Sequence, residues 1–492
     1  MSEVPAVRIR DANSRPANPD GSYVLYWMTA QRRTTWNFAL QHAAAEARAR
    51  RKPLVVLEAL RSGHRWASDR IHRFVLDGMQ DNAARLERAG VPYYAYIEPS
   101  LGAGRGLLEA LAARACLVVA DEFPCYFLPR MLAATAERLR VRVDAVDSNG
   151  LLPLSMAAGE FPTAYAFRRF LQRTLPAHLE TFPDMDPLRG WRAPDVEVEL
   201  PPDVPVRWPR VASALLQGGA RELAALPLDH AVGVVEQRGG PVAAGKRLQE
   251  FLAVLPRYAD EHSEPEADVT SGLSPYLHFG HVSAHAVVHA VLQQEEWSPL
   301  HLSSRASGKR EGWWGTSAAA EAFLDQLVTW RELGYVYCAA RPRDYDQFES
   351  LPDWAQATLQ KHARDPRAHV YDRAGFETAN THDTLWNAAQ TQLRREGRIH
   401  NYLRMLWGKK IVEWSRSPQE ALEIMIELNN RWALDGRNPN SYSGIFWVLG
   451  RFDRPWGPER PVFGTVRYMS SANTARKFHV EEYVRRYTPS LL

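Results

Sequence analysis

The first apolar run, Tyr23–Met28 (YVLYWM), has no polar interruption, which predicts a strand buried on both faces. Similar runs lie at 54–57 (LVVL), 91–97 (VPYYAYI), 117–120 (LVVA) and 141–146. Between them the period changes: 37–50 is Ala-rich and amphipathic, and 71–86, 104–115 and 131–139 have helical spacing. Nearly apolar strands alternating with roughly 10–15-residue helices predict a parallel, doubly wound sheet covered on both faces, an α/β domain. Ligands of such sheets sit outside the carboxyl ends of the strands. Met28, Thr29, Gln31 and Arg32 after the first strand, and 121–127 after the fourth, are therefore the candidate pocket lining. No G-x-G-x-x-G or Walker-type lysine motif is present there, which argues against a common dinucleotide or nucleoside-triphosphate site. Residues 1–21 are polar, end in NPDG, and are expected to form a flexible leader before the α/β domain of 22–150.

The alternation is lost over 151–234. A short helical stretch, FPTAYAFRRFLQ, gives way to Pro-rich chain through PPDVPVRWPRV, which predicts an interdomain linker. From 235 to 492 most segments read as helices, an all-helical second domain. In TSGLSPYLHFG (270–280) a turn precedes a helix, and its hydroxyls and turn amides can hold a phosphate. Ser283 is placed to cap the next helix. A helix over 319–337 brings Phe323, Leu327, Trp330 and Gly334 to one broad face, with Gln326 one turn before Trp330. Thr381 is placed to cap a helix that Gly397 ends, and a second helix over 399–414 spaces His400, Arg404 and Trp407 along one side. Trp407 and Trp414 are seven apart and share that side. Residues 417–430 read as another helix, broken by the turn LDGRNPNSYSG.

Composition alters this picture in one place. The formal charge of +3 sets up no strong overall field, so a polyanion partner has to be recognised by a local cluster. Such a cluster is present: Arg451, Arg454, Arg460 and Arg467 alternate with Trp456, Phe463 and Tyr468, a pattern suited to base stacking plus phosphate contact. Sixteen Trp residues call for a local explanation, and six of them fall within 377–470. On spacing alone, a tryptophan-rich core and a pocket for an aromatic cofactor both remain open. The three cysteines have no metal-ligand spacing, so no metal site is expected. Without a signal-peptide core or a membrane-length apolar run, a cytoplasmic protein with no membrane partner is expected.

The runs SGLSPYLHFG, THDTLWNAAQ, IHNYLRMLWGKKIVEW, ELNNRWALDGRNPNSYSGIFW and DRPWGPERPVFGTVRYM resemble the class II cyclobutane-pyrimidine-dimer photolyases of the photolyase/cryptochrome family. YVLYWMTAQRR extends the likeness to the amino-terminal domain. The resemblance implies an α/β antenna domain, an all-helical FAD domain, and a monomer that repairs pyrimidine dimers in UV-damaged DNA by light-driven electron transfer from fully reduced FAD. It also implies a possible 8-hydroxy-5-deazaflavin antenna. By motif, Ser271, Leu273 and Ser274 correspond to the diphosphate loop, and Asn401, Arg404, Asn429 and Asp435 to flavin contacts. Trp386, Trp407 and Trp414 correspond to an electron relay with Trp414 outermost, Trp330 and Trp447 to the clamp on the dimer, and Arg451, Arg454, Trp456 and Arg467 to the DNA-facing edge. Two positions depart from the pattern. Gln326 stands where the family presents an acid, with Glu332 as the carboxylate if the register slips by a turn. His262 and Ser263 stand where it has an Arg–Asn pair. An amide donates a hydrogen bond but no useful proton. These departures motivate a second reading, a flavin photoreceptor or repair-impaired relative. A non-catalytic helical nucleic-acid-binding protein is a third.

Overall fold

The computed structural model describes residues 3–157, 159–194 and 198–488. They form two units. The first takes the chain up to Ala157, then Leu175–Gln249 and Gly272–Gln293; the second takes 159–174, Glu250–Ser271 and the chain from Gln294 onward.

The first unit is built on six strands: β1 (Ile9–Asp11), β2 (Tyr23–Met28), β3 (Leu54–Leu60), β4 (Tyr93–Ile97), β5 (Ala115–Asp121) and β6 (Val143–Val146). Their order is β1-β6-β5-β2-β3-β4, and every pairing is parallel except β1 with β6. Leu25 lies opposite both Val55 and Val118. All of β2 is buried, because side chains of opposite parity enter two separate cores. Tyr23, Leu25 and Trp27 pack under Leu107, Leu111 and Leu132, while Val24, Tyr26 and Met28 pack under the helix Phe38–Arg50. That two-sided burial is why the strands read as continuous apolar runs.

Two expectations are corrected here. The leader is not loose: β1 pairs antiparallel with β6, and the buried Arg8 donates to the carbonyls of Gly150 (3.1 Å) and Leu151 (2.6 Å). The connector is not free chain either. Val204 and Trp208 are buried in the sheet's core, with the Trp208 indole donating to the Ala103 carbonyl (2.9 Å). Its helical stretch, Ala164–Thr174, belongs to the second unit.

The second unit is helical. Ala318–Leu324 runs into a π-helical segment, Asp325–Trp330, and on into Arg331–Ala340. Thr384–Glu396, Asn401–Trp414, Pro418–Trp432 and Pro439–Val448 follow. Asp383, not Thr381, caps Thr384–Glu396 by accepting from the Trp386 amide (2.9 Å). The Thr381 hydroxyl is committed to Asn387 (2.7 Å) instead. Among the described residues no helix is long and apolar enough to cross a membrane, and no His, Cys, Asp and Glu cluster suits a metal. All three cysteines are buried.

Candidate functional site

Helices Asn401–Trp414 and Pro418–Trp432 carry Asn401, Arg404, Trp407, Trp414 and Asn429. After Pro418–Trp432 the chain turns back tightly on the helix it has left. A Cβ at Gly436 would lie 2.6 Å from the Asn429 carbonyl oxygen, so only glycine allows this approach. The turn is pinned by Arg437, whose guanidinium donates to the carbonyls of Asn430, Ala433 and Leu434. Asp435 is thereby aimed at Arg404, and the two form a bidentate pair at 3.1 and 3.2 Å. Both are half-buried. Two residues that the family motif assigns to the flavin are thus paired with each other. Asn429 is buried with a long 3.3 Å hydrogen bond to Asn430, and Asn401 is exposed at the start of its helix.

Trp386, Trp407 and Trp414 are all buried. The Trp386 indole donates to the Trp407 carbonyl (3.0 Å), and its ring lies 6.0 Å from that of Trp414, steeply tilted. The Trp407 indole donates to the Gln390 amide oxygen (2.9 Å). Trp386 therefore stands between the other two. Beyond Trp414 lie the half-buried Tyr371 (5.9 Å) and the exposed His382 (4.8 Å), joined to each other by a 2.8 Å hydrogen bond. The aromatic run therefore reaches the surface. Neither of these outer residues stood out in the sequence, because they come from a loop with no regular spacing.

Gln326 and Trp330 are half-buried in the π-helical segment. Glu332, the alternative carboxylate, is buried at 3% exposure. Asp325 is buried too and held by Arg168. Trp447 is half-buried, with the Lys409 ammonium 5.4 Å and the Arg467 guanidinium 5.5 Å from its ring centre. Arg467 also lies over Trp456 (4.1 Å), and the exposed Arg454 lies over that same ring (4.5 Å). The Asp453 carboxylate accepts from both the Trp456 indole and Arg467 (each 3.1 Å), which fixes the order of the stack. Arg451 is a correction. It is buried, its guanidinium donates to Ser350 O and to Glu160, and it stacks on Tyr337 (4.8 Å). A guanidinium so committed is structural and does not reach phosphate.

His262 stacks on Tyr258 (4.8 Å), and its Nδ1–H donates to the Tyr258 carbonyl (2.7 Å). Burial, then the neighbouring His262, pushes the His400 pKa down to about 4. His400 is therefore neutral at physiological pH, and its Nδ1 is buried without a partner. In the 270–274 turn Ser271 is half-buried, Leu273 buried and Ser274 exposed. Gly272 takes φ +62, and a Cβ there would meet Arg247 Nε at 2.9 Å. A cation thus lies along this turn, which the sequence did not single out.

The strand-end lining of the first unit is corrected in its polar part. Asp121 accepts from the Tyr26 hydroxyl (2.8 Å) and the amides of Thr29 (2.8 Å), Ala30 (2.9 Å) and Gln31 (2.9 Å). Arg32 pairs with the buried Glu58 (2.9 Å). These polar groups satisfy one another. Beside them is a half-buried aromatic group, in which His64 stacks on Phe127 (5.4 Å) and Trp66 on Tyr126 (5.8 Å). Trp66 and Tyr126 both hold a left-handed backbone, φ 68 and 62.

Comparison with known proteins agrees with this architecture. A family model described as DNA photolyase matches residues 24–187. The deoxyribodipyrimidine photo-lyase of Methanothermobacter thermautotrophicus is 34% identical over 98% of this chain and 98% of its own. That of Oryza sativa subsp. japonica is 33% identical over 97% and 89%, and that of Potorous tridactylus 33% over 95% and 81%. A class III photolyase from Agrobacterium tumefaciens matches in fold with a TM-score of 0.65 at 18% identity, covering 96% of this chain and 88% of its own. A Synechocystis cryptochrome matches with a TM-score of 0.64 at 15% identity, covering 95% and 89%. With relatives this similar along nearly its whole length, and with the sheet-plus-helical architecture in common, the chain belongs to the DNA photolyase family.

Proposed function

We propose that the protein is a light-driven DNA repair enzyme that splits cyclobutane pyrimidine dimers, with a non-covalent FAD in its helical unit and class II character. The observation that carries this reading is the Arg404–Asp435 pair standing in the same unit as the buried Trp407–Trp386–Trp414 run. A flavin needs planar donors, a buried amide and an electron route, and this donor set fits. The Arg404 fork is held rigid by Asp435, the Asn429 amide is only weakly engaged, and His400 Nδ1 has no partner. Bound and fully reduced, FAD supplies under blue light the electron that no side chain can provide.

The remaining work falls to the chain. Arg404 and Asn429 orient the cofactor, and Asn401 lies at the mouth of that site. Ser271 keeps its proposed role on a diphosphate, while Leu273, Ser274 and Arg247 belong to the first unit. Trp407, Trp386 and Trp414 carry reducing electrons inward from the surface. Trp330 and Trp447 clamp the flipped dimer, which is cheaper to extrude than an intact pair. Gln326, half-buried where Glu332 is not, donates a hydrogen bond to the dimer but no proton. Arg454, Arg467 and Trp456 hold the DNA backbone. The expected antenna, 8-hydroxy-5-deazaflavin, would have to stack on His64, Trp66, Tyr126 and Phe127, because the polar strand ends are already paired. The protein works as a monomer in the cytoplasm.

The test is a dimer-containing oligonucleotide incubated with fully reduced protein, with and without blue light. Loss of dimers only under light is expected; an unchanged dimer level sinks the reading. Gln326 and His262 favour a second reading, a photoreceptor or repair-impaired relative, in which flavin photoreduction proceeds without dimer cleavage. Gln326→Glu separates the two readings, since a repair enzyme limited by its amide gains quantum yield.

A further inference from the structure

We infer that Arg168 is a positioning residue for lesion recognition, acting through Asp325 to hold the π-helical turn that carries Gln326 and Trp330. The inference rests on the preceding reading only for what Trp330 touches. Helix Ala164–Thr174 buries Ala164, Phe167, Arg168, Leu171 and Gln172, a helical stripe with a guanidinium where an apolar residue belongs. Arg168 Nε and Nη2 meet the two Asp325 oxygens at 2.7 and 3.0 Å, and both side chains are under a tenth exposed. Arg168 Nη1 also donates to Gly308 O (3.3 Å), while Gln172 accepts from the Gly308 amide (2.7 Å) and donates to Lys309 O (3.0 Å). The helix is thereby fastened to the chain ahead of Ala318–Leu324 as well as to Asp325.

Asp325 is the first residue of the π-helical segment. Such segments are rare and persist where the surroundings over-determine them. Reversion to α-helical winding displaces the helix on one side of the segment by one residue, about 100° of rotation, which would re-aim Gln326 and Trp330 relative to the helix Ala318–Leu324. A fixed, buried ion pair at the segment's first residue opposes that reversion. Removing one partner of such a pair leaves an uncompensated buried charge, so Asp325 depends on Arg168 to stay where it is.

The test uses flavin-loaded, fully reduced protein and the variants Arg168→Gln, Trp330→Ala and their combination. Hydrogen exchange at amides 325–331 is expected to quicken in Arg168→Gln while that of 384–414 stays unchanged; equal exchange at 325–331 overturns the clamp. If Arg168→Gln does not fold, Arg168→Lys keeps the charge and loses the fork. Half-saturation by a thymine-dimer oligonucleotide is expected to rise about ten-fold in Arg168→Gln. It should rise less than about two-fold when the change is made in the Trp330→Ala background, since the two act as one unit. Additive effects overturn the positioning role and leave Arg168 merely structural. If Trp330→Ala alone leaves half-saturation unchanged, the lesion-contact reading falls, and the exchange arm still decides the clamp.

Discussion

Lys409 lies wholly inside the helical unit, its ammonium donating to the Val448 carbonyl (2.6 Å) and lying 5.4 Å from the Trp447 ring centre. Burial drives its pKa from 10.5 down to about 7, with Asp453 opposing that fall and Arg467 adding to it. Between those two values the unfolded chain binds a proton that the folded chain does not, so stability rises with pH across that window. Below about 7 the whole cost of burying the charge is present. Lys409→Met is therefore expected to gain about 3 kcal/mol near pH 6, after allowing for the lost hydrogen bond, and to gain nothing near pH 10. Urea unfolding across that range checks it, and a pH-independent difference would mean the ammonium is not the cause. Asp435 makes the opposite case, of a charge kept for its partner. Asp435→Ala releases the Arg404 fork, and the expected outcome is lower flavin absorbance per protein with the fold retained, read by flavin spectrum and circular dichroism.

At the scale of elements, the Trp-bearing helices support a sharper test. Trp407→Phe is expected to slow photoreduction while chemically reduced protein still repairs dimers; equal photoreduction rates would place the electron route elsewhere. Much of this architecture was legible because period survives in the chain. The runs at 54–57 and 117–120 were found but cut short, since Glu58 and Asp121 are polar yet continue β3 and β5 inside buried networks. Asp383 won the cap that Thr381 was expected to supply, because the Thr381 hydroxyl found Asn387. The π-helical segment left no trace, as Leu324, Leu327 and Val328 are all apolar and read as unbroken helix. Nor did β1, whose three residues owe their place to pairing with β6 from far along the chain. The Arg404–Asp435 pair was legible only through the family likeness: thirty-one residues and a glycine-dependent turn separate its partners.

The whole molecule carries a net charge of only +3, so DNA has to be held by local geometry and not by a long-range field. In the helical unit that geometry is the alternation Arg454–Trp456–Arg467–Trp447, locked by Asp453. Arg454 and Arg451 are three residues apart and looked equivalent in sequence, yet their exposures differ completely: one guanidinium is open to solvent, the other buried on Tyr337 and paired with Glu160. The two should separate cleanly in experiment. Arg454→Ala is expected to weaken DNA binding and to lower the slope of log affinity against log salt by about 1, one phosphate's worth of released counterion, without moving the unfolding midpoint. Arg451→Ala should leave that slope unchanged and cost about 3 kcal/mol of stability, since it takes the donor from the Ser350 carbonyl and empties the buried space against Tyr337, while Glu160 keeps Arg341. Salt titrations of oligonucleotide binding, run beside denaturant melts of both variants, give four readings. If Arg451→Ala changes the slope while Arg454→Ala does not, the DNA-facing edge lies on the other side of this loop.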